Sequence, residues 1–110
     1  MKQLQSIVFN HKNLSLQDIG KLHIENESVG HRLSPLLSEH LASEVMLLST
    51  CNRVEFLLAT NESLNTEYVH SVLRLAYPHL DMPTLSQIAS QATLHHEEEA
   101  VRHLFNVASS

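Results

Sequence analysis

The sequence predicts an α+β fold, on three observations. Short apolar runs at 3–9, 45–48 and 54–60 read as strands, and a weaker run at 91–95 could be a fourth. Stretches with a helical apolar period lie between them, at 16–22, 29–41 and 66–80. The connection between the second and third strands, around Thr50 to Arg53, is short enough to make them antiparallel neighbours.

Each element has its own warrant. Leu4, Ile7, Val8 and Phe9 form the first strand without a breaker, and Asn10-His11-Lys12-Asn13 ends it as a polar loop. Ser15 stands before Leu16, Ile19 and Leu22, which suits a short helix with a serine N-cap, although Gly20 weakens it. Val29, Leu33, Leu36, Leu37 and Leu41 mark a second helix. Pro35 inside that pattern means either a start at Ser34 or a kink there. The unbroken run Val45-Met46-Leu47-Leu48 has the look of a strand covered on both faces, and Val54 to Thr60 follows as its hairpin partner. Val69, Val72, Leu73, Ala76 and Leu80 give the third helix one apolar side. A helical turn is expected at 84–88, and Pro83 marks the break before it. Glu97-Glu98-Glu99 then places negative charge at the positive end of a last helix, whose apolar face is Val101, Leu104, Phe105 and Ala108. Strand, helices, strand, strand, helix, strand, helix is the order of a split βαβ unit. The expected architecture is therefore a ferredoxin-like sandwich, with an antiparallel sheet, helices packed on one face and an extra terminal helix.

At 110 residues the chain fits one domain, 1–110, with a core of its own. With 43% hydrophobic and 17% charged residues, 2 Gly and 3 Pro, neither disorder nor a fibrous structure is expected. No apolar run is long enough to span a bilayer, and the first residues lack the apolar core of a signal peptide. The one cysteine cannot form an internal disulfide, which fits a reducing compartment and a cytoplasmic location. Net charge is −5, from 7 Lys+Arg against 12 Asp+Glu with histidines neutral, the wrong balance for a domain that grips RNA unaided. The 9 histidines make that charge sensitive to mild acid.

The chemistry concentrates at Ser49-Thr50-Cys51-Asn52-Arg53-Val54-Glu55. A thiol on a short connection between two strands is presented at the end of a sheet. Read by habit of residue type, Cys51 is a small core hydrophobe. Read by its neighbours, it is a nucleophile: Arg53 could favour the thiolate, or hold a substrate carboxylate in its planar fork, and Asn52 is a potential hydrogen-bond donor. His103 falls at the edge of the last helix's apolar face, four residues after Glu99. From spacing alone a surface helical pair is the better account, and a proton shuttle near a thiol is the sharper one. His95-His96 beside Glu97 to Glu99 lacks the ligand spacing of a zinc site, and no metal is expected. Neither Gly20 nor Gly30 directly follows a strand, so the chain holds no dinucleotide fingerprint and no cofactor site of that kind.

The run Ser49-Thr50-Cys51-Asn52-Arg53-x-Glu55 after an apolar strand resembles the signature of the glutamyl-tRNA reductase family. Ala100-Val101-Arg102-His103-Leu104-Phe105-x-Val107-Ala108-Ser109 looks like that family's second block, and Asn10-His11-Lys12 is a weaker match to its segment after the first strand. The resemblance implies an NADPH-dependent oxidoreductase. It would convert glutamyl-tRNA(Glu) to glutamate-1-semialdehyde through a cysteine thioester, at the start of tetrapyrrole and haem biosynthesis. On the matching positions, Cys51 would be the nucleophile and His103 would position substrate or move a proton. Arg53 would recognise glutamate, with Thr50 and Asn52 lining its pocket. Glu55 and Arg102 would be supporting positions.

The chain departs from the family pattern at Ile19-Gly20, where an Arg-Glu pair is usual, at Ser15, where Pro is usual, and at Ser110, where Gly is usual. The resemblance covers the N-terminal catalytic domain. The NADPH-binding and dimerisation domains are expected to be absent from these residues, so the fragment alone should not complete the reduction. A homodimer, and contact with glutamate-1-semialdehyde aminomutase, are implied for the full-length enzyme. The alternative is a non-catalytic ferredoxin-like binding module with a buried structural Cys51.

Overall fold

The computed structural model describes residues 3–96. In chain order they form β1 (Gln3–Asn10), α1 (Leu16–Leu22), a 3-10 turn (Asn26–Ser28), α2 (Val29–Ser38), β2 (Glu44–Thr50), β3 (Arg53–Thr60), α3 (Thr66–Ala76), α4 (Met82–Ser90) and β4 (Thr93–His96). The four strands make one sheet in the order β2-β3-β1-β4, with every neighbouring pair antiparallel. It follows that β1 and β2 run in the same direction with β3 between them. That is the split βαβ arrangement expected from the element order. The expected terminal helix lies outside the described residues.

Strand periodicity decides which face is covered. Ile7 pairs with Phe56, and Phe9 with Val54, so their side chains share one face of the central strands. On that face they join Ile19 and Leu22 of α1, Leu33 and Leu36 of α2, Val69, Val72 and Leu73 of α3, and Leu85 and Ile88 of α4 in one core. Tyr77 is fully buried among them. Its ring meets Phe56 edge-on at 6.2 Å, the Arg32 guanidinium lies 5.2 Å from its centroid, and its hydroxyl donates to the Leu22 carbonyl at 2.6 Å. Burial pushes the Tyr77 phenol well above its ordinary pKa. That one side chain ties the end of α1 to the underside of α3.

Several local expectations need correction. The helix α2 begins at Val29 and runs through Pro35, so the start at Ser34 does not hold. Burial of Leu33 and Leu36 on either side of the proline keeps the helix continuous, although Pro35 has no N–H for the His31 carbonyl. Nor is β2 covered on both faces: it is the edge strand, and Met46 remains 45% exposed. The third helix stops at Ala76 rather than reaching Leu80, because Pro78 disfavours helical geometry at Tyr77, which caps it. The turn expected at 84–88 is a full helix, started earlier by Asp81, whose carboxylate accepts from the Thr84 N–H at 2.8 Å. Hydrogen bonding from Thr84, first from its side chain and then from its backbone N–H, holds the Asp81 carboxyl below its ordinary pKa. Leu16 was grouped with the apolar face of the first helix, yet it is 63% exposed. Among the described residues no helix is long and apolar enough to cross a membrane.

Candidate functional site

The β2–β3 hairpin closes with the pair Thr50 and Arg53, leaving Cys51 and Asn52 as a two-residue tip. Neither residue has the positive φ that the usual two-residue hairpin turns require. Side chains hold the tip instead. The Asn52 N–H donates to Thr50 Oγ1 at 3.4 Å, and the Thr50 hydroxyl donates to the Arg53 carbonyl at 3.5 Å. Cys51 is exposed, which overturns the reading of a buried structural cysteine. A core position was unavailable to it: the alternation that buries Val54 and Phe56 ends before the tip. Its thiol donates to Asn52 Oδ1 at 3.1 Å, so Asn52 acts as an acceptor rather than the expected donor.

Two segments line an open cavity of about 480 Å3: the hairpin tip with Cys51 and Asn52, and the β1–α1 segment with His11 and Leu16. The loop after β1 places His11. Asn10 Oδ1 accepts from the Lys12 N–H at 2.9 Å, an Asx turn, and the Asn10 N–H donates to Asn13 Oδ1 at 2.7 Å. Leu16 is the first residue of α1, immediately after the cap Ser15, whose hydroxyl oxygen accepts from the Asp18 N–H at 3.2 Å. The departure at Ile19-Gly20 also has a plain outcome: Ile19 is fully buried in the core, and Gly20 has open space around it.

Thr50 and Arg53 sit at the base of the hairpin on the face of the sheet away from the helices, beside Asn10. Arg53 Nη1 lies 3.9 Å from Oε1 of Glu55, a carboxylate only 1% exposed. Of the residues expected at the site, Cys51 and Asn52 therefore share a cavity, with Thr50 and Arg53 around the edge of the hairpin. His103 lies outside the described residues, as do Glu99 and Arg102. His95 and His96 belong to β4, where successive side chains take opposite faces of the sheet; His96 Nδ1 is 2.7 Å from Gln5 Oε1. Among the described residues no three His, Cys, Asp or Glu side chains come together as metal ligands.

The sequence reasoning did not assign His11 or Leu16 to the site. A weak signal for His11 was present in Asn10-His11-Lys12, the segment that resembled the family. For Leu16 there was none, because a leucine at helical spacing reads as core.

A family model described as the glutamyl-tRNA(Glu) reductase N-terminal domain matches residues 7–110. The chain is 33% identical over 107 residues to a glutamyl-tRNA reductase of Sulfurovum sp. (strain NBC37-1), covering 96% of this chain and 24% of the relative. It is 36% identical over 107 residues to one of Campylobacter lari, covering 94% of this chain and 23% of the relative. Among solved structures, glutamyl-tRNA reductase from Methanopyrus kandleri superposes with a TM-score of 0.66 at 26% identity, covering 99% of this chain and 23% of that one. The chain spans about a quarter of the length of the curated relatives it matches.

Proposed function

This chain belongs to the family of glutamyl-tRNA reductase N-terminal domains, and from that premise we propose that it carries the acyl-transfer half of glutamyl-tRNA reduction. Cys51 Sγ attacks the ester carbonyl of glutamyl-tRNA. A C–S bond forms, the C–O bond to the terminal ribose breaks, and the released ribose oxygen takes a proton. The glutamyl group is left as a thioester on Cys51, which divides one difficult reduction into two easier steps. The observation that carries the reading is the placement of Cys51: exposed at a hairpin tip, on the wall of a cavity that also presents His11 and Asn52.

The roles of the neighbours follow from their chemistry. Glutamate esterified through its α-carboxyl retains one free carboxylate, on its side chain. That is the group a planar guanidinium can pair with in two parallel hydrogen bonds, and Arg53 supplies the guanidinium. Buried Glu55 holds one edge of it at 3.9 Å. Thr50 and Asn52 flank the acyl group, and His103 is retained as the candidate for moving the proton to the leaving ribose oxygen.

NADPH is the hydride donor that the family reaction uses, and it would deliver hydride to the thioester carbonyl. The described residues do not fit it. Their two glycines lie inside α1 and α2 without positive φ, so no glycine turn offers backbone N–H groups to a pyrophosphate. In this reading NADPH is held by residues outside 3–96, and residues 1–110 alone do not reduce the thioester to the semialdehyde.

The test uses the full-length protein with radiolabelled glutamyl-tRNA, without NADPH, quenched in acid and read by mass spectrometry of the peptide containing Cys51. A glutamyl adduct that is absent in Cys51→Ser and converted to semialdehyde on adding NADPH supports the reading. Semialdehyde formation with no adduct removes Cys51 as the accumulating acyl carrier. The absence of both leaves the binding-module alternative.

A further inference from the structure

We propose that His23 is a positioning residue for the Cys51 hairpin, acting through the Ser49 hydroxyl. The proposal rests on the acyl-transfer reading for its kinetic consequence, but its geometric basis is independent. Ser49 is the last residue of β2 before the closing pair, two residues from Cys51, and it pairs with Val54. Its oxygen lies 2.9 Å from Nδ1 of His23 and accepts from the Ile24 N–H at 3.3 Å. His23 and Ile24 directly follow α1, whose last carbonyl, that of Leu22, is held by the buried Tyr77 hydroxyl at 2.6 Å. The hairpin is thus fastened to a point that the core itself fixes.

The Glu25 carboxylate can only accept, so the imidazole is assigned its proton on Nε2, which faces that carboxylate at 3.5 Å. Nδ1 is then the acceptor, and the Ser49 hydroxyl, which also accepts from the Ile24 N–H, donates to it. Carboxylate, imidazole and hydroxyl form a chain, and its end is the base of the nucleophile's hairpin.

This arrangement matters because α1 meets the site at both ends. Its first residue, Leu16, lines the same cavity as Cys51, and the residue after its last turn holds Ser49. Seven residues of helix span about 10 Å. A rigid strut of that length, fixed at Ser49, sets the separation between the Leu16 wall and the Cys51 tip. The tip's own hydrogen bonds, at 3.4 and 3.5 Å, are too long to set it alone.

The test compares His23→Ala, His23→Asn, Ser49→Ala and the His23→Ala/Ser49→Ala double variant in the full-length protein. Three quantities are read: the single-turnover rate of glutamyl transfer to Cys51, the rate of Cys51 alkylation by iodoacetamide, and the thermal midpoint. His23→Ala is expected to slow transfer about fivefold, the equivalent of one hydrogen bond, and to shift alkylation by about twofold or more. The apparent affinity for glutamyl-tRNA should hold, since the loss is in the placement of sulfur. His23→Asn, whose side-chain oxygen can take the place of Nδ1, should restore most of the rate. The double variant should be no slower than the slower single one, because both remove the same bond. Wild-type transfer and alkylation rates in His23→Ala would overturn the proposal. So would failure of His23→Asn to recover, or losses that multiply in the double variant. If the wild-type protein forms no adduct at all, the acyl-transfer reading falls, and the alkylation rates alone decide the role of His23.

Discussion

The two walls of the cavity are built in opposite ways. The loop that presents His11 is tied down by short hydrogen bonds. Asn13 Oδ1 accepts from the Asn10 N–H at 2.7 Å, while Asn13 Nδ2 donates to the Val8 carbonyl at 3.0 Å, the Gln91 carbonyl at 2.8 Å and Thr93 Oγ1 at 3.0 Å. Beyond the Thr50–Arg53 pair, the tip that presents Cys51 is held by side-chain contacts at 3.4 and 3.5 Å and a thiol hydrogen bond at 3.1 Å. One wall is braced by short side-chain hydrogen bonds; the other is paired at its base and more loosely held at its end. In the proposed transfer a sulfur nucleophile moves toward the carbonyl carbon as the bond forms, and a more loosely held tip would allow that movement without disturbing the other wall.

The largest effect expected is on the loose wall and is purely chemical. Cys51→Ser should reduce glutamyl transfer on the order of a thousandfold or more, as loss of a nucleophile does. It should leave the thermal midpoint unchanged, because the side chain is exposed and a serine hydroxyl can make the same bond to Asn52. The fixed wall should respond the other way. Asn13→Ala removes the acceptor of the Asn10 N–H and the donor shared by three oxygens, and should destabilise the fold by about 2 kcal/mol. Urea unfolding measures it. A cost near zero would mean that the loop is held by packing, and the contrast between the walls would fail.

How much of this was legible in the sequence depended on how local each cause was. Breaker-free apolar runs in Ile7 to Phe9 and Val54 to Leu58 marked the strands, and the short Thr50–Arg53 connection marked β2 and β3 as antiparallel neighbours. The Ser15 and Asp81 ends of helices follow a local rule as well, although only Ser15 was assigned in advance. Misses had long-range causes. That β2 is an edge strand is a property of the strand order, which its own apolar run cannot reveal. The exposure of Leu16 depends on where α1 starts relative to the sheet end. The Ser49–His23 bond joins residues 26 apart and has no signature in either segment. At the site, Cys51 and Asn52 were legible through the resemblance, while the cavity they share with His11 and Leu16 was not.

A third turn shows what a different kind of strain does, and the next smaller effect is expected there. His40 follows α2 with φ 60, in the left-handed region that costs a non-glycine residue about 1 kcal/mol. It occupies the position usually given to glycine in the Schellman motif: the Leu41 N–H donates to the Leu36 carbonyl at 3.0 Å and the His40 N–H to Leu37 at 3.1 Å. His40→Gly should therefore stabilise the protein by about 0.5–1 kcal/mol in urea unfolding without altering either wall of the cavity. Destabilisation would mean that the imidazole contributes more than its backbone costs.

A small expected effect on stability, in a residue that braces the tip, tests the loose wall itself. Thr50→Val keeps the shape and β-branching of the side chain and deletes the hydroxyl that spans the tip. Because its contacts lie at the outer limit of hydrogen-bond length, the change should cost less than about 0.5 kcal/mol. Its effect on glutamyl transfer then becomes informative. If transfer slows while stability holds, Thr50 serves the substrate, as its place in the Thr50-Cys51-Asn52-Arg53 run implies. If stability falls by as much as in Asn13→Ala, the hydroxyl is a structural brace, the tip is no looser than the loop, and the difference between the two walls disappears.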